Sequence, residues 1–325
     1  IGGELTAVGA LGWADPDRDS ILVSGYALSL APFDSLAAAV LKVRRADLTE
    51  VDLMSGRARA RATIAGSLDQ WTVVGQTRID SAEWVATRVR IGTVNYRIAG
   101  GRTNPMSLTV LATVDSVTRG RLSFASLALE ARGRPEELGW SIRGNGTGQT
   151  RARAGGQWRT GTDAVRSLAV DSLAVDLLGR TWRLERPTVF TIDTATAADT
   201  VAITTADGSG TLELIGTLPG RTTGRADVRA LGVSLRDLYT LAQRDTAGLG
   251  GTVSLDARLT GTLERPAFRG SASITGPVFG DVKAPLVRSV FNYQDQLLQS
   301  NLTFWRTGHP VLDVDATLPL DLGFG

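Results

Sequence analysis

The stretch "GTVSLDARLTGTLERPAFRG" (251–270) decides the fold. Val253, Leu255, Ala257 and Leu259 alternate with Ser254, Asp256, Arg258 and Thr260. Beyond the corner at Gly261 to Pro266, Phe268, Ala272 and Ile274 alternate with Arg269, Ser271 and Ser273. A period of two marks a β-strand, because successive side chains on a pleated chain point to opposite faces. One face is apolar and the other charged, so the stretch reads as an antiparallel hairpin wetted on one side.

The same pattern extends outward in both directions. "RARARATIAG" (57–66) sets Ala58, Ala60, Ala62 and Ile64 against Arg57, Arg59, Arg61 and Thr63. Leu108/Val110/Ala112/Val114, Leu173/Val175/Leu177, Ala226/Val228/Ala230, Leu298/Leu302/Phe304 and Leu312/Val314/Ala316 continue it. Trp182 alternates with Leu184, which places that tryptophan on the apolar side. The chain is therefore expected to be all-β and antiparallel.

The hairpin also repeats. Gly56, Gly66, Gly75 and Ile79 stand 195 positions before Gly251, Gly261, Gly270 and Ile274, without a gap. Four landmarks in step point to duplication of a strand–turn–strand unit. Gly216-Thr217-Leu218, followed by Gly224, is a looser third instance. Ahead of each copy lies a short helical signal. "VSLRDLYTLAQR" offers Ser234 as N-cap, Asp237 three residues on, and Leu235, Leu238, Tyr239 and Ala242 as one stripe. "LAPFDSLAAAV" offers Phe33, Leu36, Ala37 and Val40. Both are expected to act as plugs over the end of a sheet.

Composition narrows the function. Hydrophobic residues make up 42% of 325 positions, too many for a disordered chain. Net charge is only +2, and lysine occurs only at Lys42 and Lys283. Arginine scattered among acids reads as genome composition, and no nucleic-acid partner is expected. The lack of cysteine removes disulfides, thiolate metal sites and cysteine nucleophiles. The chain opens on Ile1 and closes on "DLGFG", which reads as part of something longer, with any membrane anchor outside it.

Catalytic constellations are not found. His309 is the lone histidine and sits in the turn "RTGHPV". "GNGTG" (144–148) lacks the lysine of a phosphate loop. Asp15, Asp17 and Asp19 have calcium-loop spacing, but Ser20 and Tyr26 replace the glycine and bidentate glutamate such a loop needs. Asp313 and Asp315 share the wet face of one strand. No catalytic residue, metal site or cofactor is expected.

An antiparallel sheet this long must hide its apolar side by stacking on a second sheet, closing into a barrel, or curling into a trough. No Ser/Pro/Gly-rich linker separates two sandwiches, the loop near 143–161 being the nearest candidate, and a lipid-facing barrel needs an uncharged outer face and more aromatics than 6%; both forms stay open beside the trough. The expected form is one elongated groove over 1–325, with halves 1–160 and 161–325. Its lining is Leu173, Val175, Leu177, Trp182, Leu184, Leu212, Leu214, Val228, Val253, Leu255, Leu259, Phe268, Ile274, Leu302, Phe304, Leu312 and Val314.

"TWRLERPTVF" (181–190), "GTLELIGTL" (210–218), "GVSLRDLYTLAQ" (232–243), "GGTVSLDARLTGTLERPAFRG" (250–270) and "TLPLDL" (317–322) occur in an order that resembles the C-terminal region of the TamB family. That family comprises translocation and assembly module subunits related to AsmA-like, repeating-β-groove lipid-transfer proteins. The likeness covers about residues 165 to 325, and the first half matches only in style. It implies a taco-shaped periplasmic β-groove in a diderm bacterium, anchored in the inner membrane through an N-terminal segment. It also implies phospholipid passage between the membranes and an Omp85-type outer-membrane barrel (TamA/BamA-like) as partner. A structural or adhesive extracytoplasmic β-protein without lipid is the alternative.

Overall fold

The computed structural model describes residues 3–10, 20–27, 29, 55–67, 69–84, 87–102, 104–119, 122–146, 150–161, 165–177, 180–192, 196–218, 222–241, 248–262 and 265–320. Twenty-one strands and one helix lie among them, so the protein is all-β, as the alternation requires. The chain divides into two compact units, Ile1–Arg159 and Thr160–Gly325.

The first unit is a meander. β1 (Gly3–Ala10), β2 (Ser20–Ala27), β3 (Ser55–Gly66), β4 (Trp71–Trp84), β5 (Thr87–Gly100), β6 (Ser107–Arg119), β7 (Leu122–Arg134), β8 (Glu137–Gly146) and β9 (Arg151–Thr160) follow in sequence. Each pairs antiparallel with the next. The second unit begins with β10 (Arg166–Leu177), which pairs with both β11 (Arg180–Leu184) and β12 (Thr188–Ile192). Those two pair in turn with β13 (Thr196–Thr205). The ladder then runs through β14 (Thr211–Leu218), β15 (Gly224–Ser234), β16 (Leu249–Gly261) and β17 (Pro266–Phe279). The short β18 (Val282–Lys283) intervenes before β19 (Leu286–Gln294), β20 (Leu297–Arg306) and β21 (His309–Pro319).

The 195-residue repeat holds in three dimensions. Gly66 pairs with Trp71, Ile64 with Val73 and Ala58 with Ile79. Gly261 pairs with Pro266, Leu259 with Phe268 and Val253 with Ile274, the same register in the second copy. The ladder slips once in each copy, at Gly56 and at Gly251. Both turns close alike: Ser67 N–H donates to Gln70 O at 2.8 Å, and Thr262 N–H to Arg265 O at 3.2 Å. The hydroxyls of Ser67 and Thr262 accept from the N–H three residues on, at 3.3 and 3.1 Å. The correspondence reaches the next strand, where Tyr96 lies opposite Gly75 and Phe291 opposite Gly270. Gly216 fits the pattern less well. It lies inside β14 opposite Ala226, so it is not a corner like Gly66.

One helix, α1 (Leu235–Leu241), starts after Ser234 as expected. Leu235 is buried, and Leu238 packs on a cluster of Trp182, Ala230 and Val233. Tyr239, expected in the same stripe, is instead exposed, and Asp237 is buried beside Leu235 in its place. Ala242 and the whole of the earlier helical stretch at 30–40 lie outside the described residues.

The corner glycines carry a testable cost. Gly66 and Gly261 have φ of 106° and 92°, and a Cβ on either would collide with the carbonyl oxygen of Gln70 or Arg265. Gly276 also has positive φ, at 57°, but faces open space. Gly261→Ala should lower stability by about 2–3 kcal/mol and Gly276→Ala by about 1 kcal/mol, read from urea unfolding followed by circular dichroism. Equal losses would contradict the corner's role.

Candidate functional site

In an antiparallel ladder, residues directly opposite one another share a face. The registers of the second unit therefore trace rows across the sheet. One row runs Leu184, Ile203, Leu212, Ala230, Leu255, Ala272, Ser289, Leu302 and Val314. A second runs Val201, Leu214, Val228, Ala257, Gly270, Phe291, Ser300 and Ala316. On the outer sides lie Val233–Val253–Ile274–Val287–Phe304–Leu312 and Ala226–Leu259–Phe268–Tyr293–Leu298–Leu318. Trp182 stands opposite Val175, so Leu173 shares their side by alternation.

Sixteen of the seventeen residues expected to line the groove thus fall on one apolar face. The seventeenth, Leu177, has its side chain outside the described residues. The face is also richer than the sequence reading proposed. Ile203, Val233, Val287, Phe291 and Tyr293 belong to it as well, and Val287, Phe291 and Tyr293 do alternate in "VRSVFNYQ".

Burial varies along the face. Val233, Ala226, Tyr293 and Ala230 are almost fully buried, Trp182 is 6% exposed, and most of the others are half-buried. Phe268 and Tyr293 stack with ring centroids 4.5 Å apart, and the Tyr293 hydroxyl donates to Leu320 O at 3.1 Å. Ser289 and Ser300 bond each other at 2.8 Å, which pairs two hydroxyls on an apolar surface. Helix α1 covers the Trp182 end. There Asp237 is buried, with Oδ2 3.8 Å from Arg180 Nη1. Leu312 is 53% exposed on β21, whose outer edge has no neighbour among the described residues.

The opposite face is polar. Asp227 pairs with Arg258 and Arg229 with Asp256 in the ladder. Arg258 Nε donates to Asp227 at 2.6 Å and Arg229 Nε to Asp256 at 3.2 Å. The Arg258 hydrogen bond holds the Asp227 carboxyl below the usual carboxylate range and raises Arg258 in turn. Asp313 and Asp315 sit on this side too, and Asn301 donates to Asp315 at 2.9 Å. Asp207, in the turn after β13, is held well below its ordinary pKa by hydrogen bonds from Thr205 and from the hydroxyl and N–H of Ser209. Such a carboxylate stays ionised and its lone pairs are engaged, so it is a poor general base.

The remaining candidates are dispersed. His309 is exposed at the start of β21. Trp71, Trp140 and Trp158 lie on the apolar face of the first unit with Ile64, Ile98, Leu129 and Ile142. Trp305 lies on the polar face of the second, beneath Arg288 at 4.9 Å. Asp15, Asp17 and Asp19 lie outside the described residues, among which no cluster of three or more potential metal ligands occurs. No described helix is long and apolar enough to cross a membrane.

Comparison with known proteins gave no match to a family model, a curated protein or a solved structure.

The division between buried anchor and open surface predicts unequal truncations. Trp182→Ala should cost about 3–5 kcal/mol in unfolding free energy, and Leu312→Ala less than about 1 kcal/mol. A Leu312→Ala loss as large as that of Trp182→Ala would mean that β21 has a covering partner.

Proposed function

We propose that the chain is a non-enzymatic hydrophobic conduit that holds phospholipid acyl chains against the apolar face and lets them slide along it. The observation that carries this reading is the row from Leu184 to Val314, nine residues on nine strands with Ser289 as its one polar side chain. At about 4.8 Å per strand the row extends about 38 Å, more than twice the half-thickness of a bilayer core of about 30 Å. A lipid tail would therefore fit with room to move.

The energetics favour sliding over capture. Each methylene removed from water contributes about 0.8 kcal/mol, so a tail is held firmly wherever the wall is apolar. A wall of similar aliphatic character from strand to strand keeps that energy nearly level, and no deep trap forms. Head groups would remain in water at the open side. No special residue is required, which fits the scarcity of catalytic groups.

The resemblance in the order of sequence motifs supports a TamB-like, periplasmic role in phospholipid passage between inner and outer membranes. On that reading the protein is held at the inner membrane and works with an Omp85-type outer-membrane barrel.

A charge on the face should stop passage without unfolding the sheet. An aspartate at a half-buried site can reach water through the open side, but a tail passing it must desolvate a carboxylate. Even about 3 kcal/mol there slows movement roughly a hundredfold. Leu255→Asp or Leu259→Asp should slow transfer of labelled phospholipid from donor to acceptor vesicles about a hundredfold, while circular dichroism stays β-rich. Arg258→Asp, on the other face between them, should leave transfer unchanged. Wild-type protein that never carries phospholipid would replace this reading with a structural or adhesive one.

A further inference from the structure

We propose that the polar face of the first unit docks on an anionic lipid bilayer. This goes beyond the conduit, which concerns the other face. Residues 55–159 hold sixteen arginines, no lysine and seven carboxylates, a net +9 in a chain whose total is +2. The registers gather these arginines. Arg59 and Arg61 of β3 share one face with Arg97, and Arg143 stands directly opposite Arg153.

These side chains are not neutralised. Arg59, Arg61, Arg97, Arg143, Arg151 and Arg153 make no ion pair or side-chain hydrogen bond among the described residues. Across from them lie Gln76, Val74, Thr109, Ala128 and Asn145 rather than acids. Four other arginines of this unit, Arg78, Arg88, Arg132 and Arg159, do pair with acids, as Arg229 and Arg258 do in the second. The two differ in balance: residues 160–325 hold fifteen basic side chains and eighteen carboxylates, a net −3.

The repeat separates what the fold needs from what it does not. Arg57, Arg59 and Arg61 correspond to Thr252, Ser254 and Asp256, in the same strand, register and bulge. The hairpin forms equally well without them, so folding gives no reason for the positive charge.

An anionic bilayer fits this surface better than a nucleic acid does. Val74 and Leu111 are 49% and 41% exposed on it, at a depression of about 530 Å³ that Arg61 and Arg97 flank. Its floor includes Gln76, which donates to Asn95 at 2.9 Å. Arginines beside exposed aliphatics suit lipid phosphates and the upper acyl region. Single-stranded nucleic acid calls for stacking aromatics, and Tyr26 is the only exposed aromatic of this unit among the described residues.

The test is sedimentation of the full chain with phosphatidylcholine vesicles, with and without phosphatidylglycerol. The wild type should bind only the anionic vesicles and be released at high salt. Each arginine near such a surface contributes about fivefold, so Arg57→Thr/Arg59→Ser/Arg61→Asp, which installs the second copy's residues, should weaken binding about a hundredfold. Arg143→Ser/Arg153→Ser should weaken it in the same direction on distant strands, and Arg269→Ser in the second unit should not. Leu255→Asp should bind vesicles normally, which separates this proposal from the conduit. Indifference to phosphatidylglycerol, full binding by both arginine variants, or displacement from the vesicles by an equally charged oligonucleotide would overturn it.

Discussion

Every strand must keep its apolar side chains in step with those of its neighbours. In a ladder with a side-chain period of two, a slip of one residue moves the whole set to the other face. The second unit meets this constraint across its strands, and the irregularities reveal how. In "ALGVS" (230–234), strict alternation would put Val233 on the polar side of Ala230. A register shift between them returns Val233 to the apolar face, where it is fully buried, and leaves Leu231 60% exposed. Gly232 makes the shift possible, because its φ of 65° and its contact with Ser209 O leave no space for a Cβ. The shift between Ala198 and Val201 has the same effect on β13.

With both faces held in register, the chemistry separates. Charge pairs such as Arg258–Asp227 collect on one side and aliphatic rows on the other. The fold thus presents extended surface of two kinds, one apolar and one polar or charged. The two copies of the hairpin differ most on the polar side, where Arg59 and Arg61 become Ser254 and Asp256. On the apolar side Ile64 becomes Leu259 and Ile79 remains Ile274, so the apolar pattern is the part that the duplication preserves.

Much of this was legible in the sequence because it is local. Alternation placed Val253, Leu255 and Leu259 on one face, and matched glycines disclosed the repeat. The parts that were not legible depend on partners far along the chain. Tyr293 is the largest fully buried side chain among the described residues; alternation gives its face, but its stacking on Phe268 across the ladder is not encoded locally. Leu312 has the same alternation as Leu302 but stays exposed on β21, whose outer edge has no neighbour among the described residues. The arginines of the first unit looked like composition until cross-strand neighbours such as Gln76 and Ala128 proved unable to neutralise them.

The most direct measurement is photo-crosslinking in cells, with a photoreactive residue placed singly at Leu259 or at Arg258 of the otherwise intact protein. These are consecutive residues of one strand, on opposite faces of the sheet. Phospholipid should be captured at 259 and not at 258. Capture at 258 alone would mean that the faces are reversed, and capture at neither would contradict a lipid-holding apolar face.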